Sequence, residues 1–135
     1  MKRMRRLLAL FLTLVLCAGL LSTVLAAEPE VQYEKTASYV ARQVTSPGYG
    51  SIGGDWAVLG LARGGADVKE DYFAGYYARL EAYVKSCQGV LHKRKYTEFS
   101  RVALAVTAIG KDARNVAGFN LLLPLGDYDK TVYQG

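Results

Sequence analysis

Cysteine is nearly absent from this 135-residue chain, which has two, and histidine, tryptophan and methionine number one, one and two. Cys17 falls in the amino-terminal apolar run, so only Cys87 belongs to the remainder, and no intrachain disulfide can form there. Cys87 and His92 are then the one Cys/His combination on offer. Cys87 has apolar helical neighbours that suit a buried thiol, and His92 sits beside Lys93 in an expected loop, so a nucleophile–base pair is not indicated. A zinc site has no ligand set at the required spacing, and no metal or other cofactor is expected. Calcium is harder to exclude, because oxygen ligands can converge from several loops. Sustained apolar–polar alternation is missing as well, and its absence argues against strands and for an all-α fold.

Excess charge is also scarce once the amino terminus is set aside. Met1 to Arg6 form a basic region with four cations, and Leu7 to Val24 form the one long apolar run. Val24-Leu25-Ala26 follows with the small-residue pattern of a signal peptidase site, which predicts cleavage before Ala27. The alternative is an uncleaved membrane anchor, since the run is about long enough to span a bilayer. Leu16 precedes Cys17 where a lipoprotein signal needs a small residue. Residues 1–26 are therefore expected to be a signal peptide and 27–135 the exported domain, at the cell surface or secreted. Without the leader, thirteen basic residues face twelve acidic ones, so the overall charge of +5 falls to +1. That balance gives no support for nucleic-acid binding, and any membrane contact is expected through the leader only. Lys93-Arg94-Lys95, the remaining basic cluster, has no interleaved aromatics and reads as a solvated loop.

What the chain does have is an internal echo. Asp55 to Asp67 aligns without gaps on Ser100 to Asp112, 45 positions later, with Leu59/Leu104, Gly65/Gly110 and Asp67/Asp112 identical. The shared pattern is a short Ala/Leu helix that stops at a glycine, with an aspartate two residues on that can cap the next helix. A period of this size marks stacked supersecondary units. Around the echo, Pro29 suits a helix start and apolar spacing continues to about Val44. Residues 46–54 form a Gly-rich loop that lacks the ending of a phosphate loop and follows a helix, so close helix approach is the expected reason for its glycines. Asp55 is placed to cap a helix through Arg63, and Asp67-Val68-Lys69-Glu70 has capping-box spacing ahead of the longest helix, to about Ser86. Thr97 opens another that stops at Gly110, and Pro124 breaks the apolar segment from Val116 to Leu123. Long and short helices thus alternate.

The candidate ligand-binding residues are Asp55, Trp56, Tyr72, Tyr76 and Tyr77. The tyrosines belong to an aromatic cluster with Phe73 and Tyr83 that can fill a groove between helices or line a cavity for an apolar, sugar-like or cationic ligand. Asp55 beside an indole can hold a ligand, although capping alone explains an aspartate there. The acid pairs Glu70-Asp71 and Asp127/Asp129 lie near expected helix starts, where negative charge suits the dipole.

Gly53-Gly54-Asp55-Trp56-Ala57-Val58-Leu59-Gly60-Leu61-Ala62 resembles an inner-helix repeat of the α/α-toroid superfamily, which includes terpenoid cyclases, protein prenyltransferase β-subunits and cobalamin carriers. Gly110-Lys111-Asp112 with Val116 to Leu122 is similar to the connection between repeats in secreted bacterial members. The resemblance covers about residues 35 to 135 and implies a partial toroid of about two helix pairs, an amino-terminal fragment whose open ring is prone to self-association. The Asp-x-Asp-Asp proton donor and the Asp/Cys/His zinc set of the enzymes are both missing, so no catalytic residue carries over. The expectation is an exported, non-catalytic segment that binds an unknown ligand or surface polymer. The alternatives are a fragment of a cyclase or prenyltransferase with its active residues elsewhere, or of a cobalamin carrier.

Overall fold

The computed structural model describes Met4, Phe11–Thr13 and residues 29–132. The rest of the expected leader, its cleavage position, Cys17 and the last residues 133–135 lie outside the described part. The chain divides into two compact units, residues 1–33 and 34–135. Among the described residues there is no strand, only a single bridge between Val116 and Phe119, so the protein is all-α. No described helix is long and apolar enough to cross a membrane.

Helix α1 (Pro29–Gln43) starts on the proline, with Glu30 in its first turn and Arg42 in its last, both suited to the helix dipole. It is largely exposed: Ala37 is buried, and Val40 and Ala41 pack partly on the core. A loop leads to a π-helical turn (Ser51–Asp55), which is kinked at Gly54 (φ 141°, ψ −12°) before α2 (Trp56–Arg63). Helix α3 (Tyr72–Ser86) buries Tyr72, Tyr76, Leu80 and Val84, one residue per turn on a single face. Helix α4 (Thr97–Ala108) buries Phe99, Val102, Ala103, Ala105 and Val106 and packs against α2, whose Val58 and Leu61 face the core. The chain then turns through Ala117 and Gly118, both at positive φ, and ends in a 3₁₀ turn (Leu123–Gly126) and helix α5 (Tyr128–Val132). The described helices from α1 to α4 alternate long and short, at 15, 8, 15 and 12 residues.

The two copies of the echo are α2 and α4, and they terminate identically. Ala66 N–H donates to Leu61 O and Lys111 N–H to Val106 O, each at 3.0 Å, around Gly65 at φ +66° and Gly110 at φ +74°. This six-to-one bond over a left-handed glycine satisfies carbonyls that a helix end would otherwise leave open. The aspartates that follow do not do what the sequence pattern predicts. Asp67 is exposed and α3 begins only at Tyr72, with no side-chain cap at Asp71. Asp112 accepts from Arg114 N–H at 2.8 Å and pairs with its guanidinium, and the next helical turn begins only at Leu123. In both copies the connection is too long for the aspartate to reach the free N–H groups of the next helix. Asp127, by contrast, does cap α5, accepting from Lys130 N–H at 3.1 Å.

Candidate functional site

Four elements converge on the carboxylate of Asp55. The π-helical turn sets its direction: Asp55 has helical backbone angles and continues into α2, so its side chain points inward, away from the N–H groups it was expected to cap. The expected cap is thus absent, and three other donors replace it. Gly50 N–H donates to Oδ2 at 3.0 Å from the loop, Tyr76 Oη donates to Oδ1 at 2.8 Å from α3, and Arg101 Nε donates to Oδ2 at 2.8 Å from α4. Asp55 is 0% exposed. A fully buried carboxylate is tolerated only when paired and hydrogen-bonded, and here both oxygens are engaged.

Arg101 links this cluster to a second one. Its terminal nitrogens form a two-pronged pair with Glu98, one turn earlier on α4. Glu98 also accepts from Tyr49 Oη at 2.7 Å. The Tyr49 ring stacks on Tyr83 of α3, with centroids 4.0 Å apart and planes 13° from parallel, and the Arg101 guanidinium lies 5.8 Å from the Tyr49 ring centre. The Arg101 hydrogen bonds hold the Glu98 carboxyl below its ordinary range, although its partial burial opposes this. Glu98 and Asp55 together raise the guanidinium pKa. Burial first, and then the neighbouring carboxylates, push Tyr49 and Tyr76 well above the ordinary phenol range. Every one of these shifts favours the protonation state that completes the network at neutral pH.

The loop that delivers Gly50 is held by Arg79, whose Nε donates to Pro47 O at 2.7 Å. Gly54 has φ +141°, and a Cβ there would lie 2.6 Å from Pro47 Cβ and 2.8 Å from its Cα. The glycine is required by Pro47 of its own loop, not by a neighbouring helix as the sequence reading expects.

The expected ligand-binding residues do not gather in one place. Asp55 and Tyr76 meet in the buried network. Trp56, the next residue along, turns outward and is 52% exposed, and Ile52, four residues before it, is 96% exposed. Tyr72 is buried edge-on to Phe73, and its hydroxyl has no hydrogen-bond partner, so burial raises its pKa. Tyr77 is half-buried, with the Lys111 ammonium 5.3 Å from its ring centre. The aromatic cluster of α3 is therefore mainly core, with Tyr76 serving as a polar link. The structure adds Arg101, Glu98 and Tyr49. Arg101 carries the one signal that could have marked them: a charged residue directly before Val102 and Ala103 on the face that α4 buries.

Cys87 directs its thiol to Val84 O, whereas His92 Nδ1 accepts from the N–H groups of Arg94 and Lys95 at 3.0 and 2.8 Å. With Nδ1 an acceptor, the neutral ring carries its proton on Nε2. Among the described residues, no group of three or more His, Cys, Asp or Glu side chains could hold a metal ion. Compared with known proteins, the chain matches no family model, no curated protein and no solved structure.

Proposed function

We propose that the chain is a binding segment of an exported helical-repeat protein, and that it contacts a ligand or surface polymer through an apolar ridge with Trp56 as its anchor. The observation that carries this reading is the contrast between adjacent residues. Asp55 is fully buried and held by three donors from three elements, and Trp56, peptide-bonded to it, is half exposed. An indole on a backbone so fixed loses little freedom on binding, which makes it a stronger anchor than the same ring on a mobile loop. Ile52, four residues earlier, adds a second exposed apolar side chain to the same segment. In the α/α-toroid arrangement that the sequence resembles, α2 and α4 are successive inner helices and this ridge faces the central cavity.

The buried polar network that holds Asp55, the residue before Trp56, favours a binding role over a catalytic one. Asp55, Arg101 and Tyr76 have their hydrogen bonds directed into the network, Gly50 and Glu98 included, and are buried. A general acid or base needs access to a substrate proton, and these groups serve the scaffold instead. The test is sedimentation of the protein with insoluble bacterial cell-wall polymer, comparing the parent with Trp56→Ala and Ile52→Ser. Both side chains are exposed, so the fold should persist. Loss of co-sedimentation in Trp56→Ala is the expected result, and retention equal to the parent would sink the proposal.

A further inference from the structure

We propose a second contact surface, a cleft at the amino-terminal end of α4 that docks the protein on an anionic lipid surface. The cleft has a volume of about 400 Å³ and lies between the loop that follows α3 and the carboxy-terminal segment. Tyr96 and Phe99 line it, with Val90, Lys93, Leu123 and Lys130 among the groups around them. Two features decide its chemistry.

The first is charge without an internal partner. Lys93, Arg94 and Lys95 follow one another, and no ion pair involves any of them among the described residues. His92 keeps this cationic stretch in shape by accepting from the main chain of Arg94 and Lys95. Asp127, the acid of the cleft, is already paired with Lys130 at 2.7 Å. The surface therefore offers an unopposed positive field to a negatively charged partner.

The second feature selects a surface over a soluble anion. Leu123 is 71% exposed and Val90 is 51% exposed, although both border the same cleft. A free phosphate or other small anion would leave both side chains in water. The boundary between headgroups and acyl chains accepts cations and apolar side chains together. This contact is additional to the one expected of the leader, and it does not depend on the Trp56 ridge.

The test is co-sedimentation of the full chain with vesicles of phosphatidylcholine, alone or mixed with phosphatidylglycerol. The parent is compared with the triple variant Lys93→Ala/Arg94→Ala/Lys95→Ala and with Leu123→Ser. Leader residues are the same in all three proteins, so differences between them report on the cleft. With each cation near the surface contributing about fivefold, the triple variant should lose about a hundredfold in affinity for the anionic vesicles. Leu123→Ser should lose about tenfold while keeping the parent's salt dependence. Triple-variant affinity equal to the parent's overturns the proposal, and so does unchanged affinity of Leu123→Ser. Binding of a single-stranded oligonucleotide as tight as that of anionic vesicles, with Leu123→Ser affecting neither, would identify an unselective polyanion surface and overturn it too.

Discussion

Removing the guanidinium of Arg101 while leaving Asp55 in place should be the most damaging single change in the network. In Arg101→Met the apolar stem is kept, but the Asp55 carboxylate remains at 0% exposure with only Tyr76 and Gly50 as donors. Breaking one side of a buried pair costs about 3–5 kcal/mol, because the remaining charge stays desolvated. Glu98, less deeply buried, loses its partner in the same step but can recover hydration, so it should add little. Whole-domain stabilities are about 5–15 kcal/mol, so this loss is a large fraction of the total. The variant Asp55→Asn/Arg101→Met removes both charges and keeps an amide oxygen for Tyr76. It should be more stable than the sum of its single changes predicts, by about 2 kcal/mol. Equilibrium urea unfolding, followed by circular dichroism and by the emission of Trp56, gives all four corners of the cycle. Trp56 is the chain's single tryptophan and adjoins the altered site, so its signal is unambiguous. A cost below about 1 kcal/mol for Arg101→Met, with strictly additive effects, would show that the cluster is not coupled as its geometry requires.

Three further outcomes can be checked with the same apparatus. Gly54→Ala should cost more than about 2 kcal/mol, since it combines a strained φ with contact on Pro47, whereas Gly110→Ala meets open space and should cost about 1 kcal/mol. Tyr72→Phe removes a hydroxyl that has no partner and should be neutral or slightly stabilising, whereas Tyr76→Phe deprives Asp55 of a donor and should cost about 1–2 kcal/mol in thermal unfolding. On the acid side, the folded pKa of Glu98 is depressed, so its contribution is complete above the unfolded value of about 4.3 and lost as pH falls through the folded one. On the alkaline side, the folded pKa values of Tyr49 and Tyr76 are raised, so their contributions hold below about pH 10 and fade above it. Tyrosinate absorbance from Tyr49 and Tyr76 should accordingly appear only on unfolding. A single phase at the ordinary phenol pKa would contradict the burial of these hydroxyls.

The helices were the most legible part of the sequence because their signals are local. Tyr72, Tyr76, Leu80 and Val84 recur at one-turn spacing, and that spacing by itself defines a buried face. Gly65 and Gly110 mark helix ends because left-handed backbone there favours glycine, and the structure shows matching hydrogen bonds at both. Asp55 was not legible in the same way. An aspartate ahead of an apolar run has the same local appearance whether it caps the helix or turns into the core. The choice depends on the π-helical turn that redirects it and on Arg101, 46 residues away. Neither is encoded in the spacing around Asp55. The connections after Asp67 and Asp112 show the same limit, since an aspartate two residues past a helix-ending glycine does not reveal how many residues separate it from the helix it would serve.

The direct test of Trp56 as the binding anchor is its accessibility to acrylamide, measured with and without soluble fragments of cell-wall glycan. Efficient quenching is expected in the free protein, because the indole is half exposed, with a saturable loss of quenching as the fragments bind. Quenching that stays unchanged at fragment concentrations where the protein is demonstrably bound would show that the polymer is held elsewhere, and the Trp56 ridge would not be the binding face.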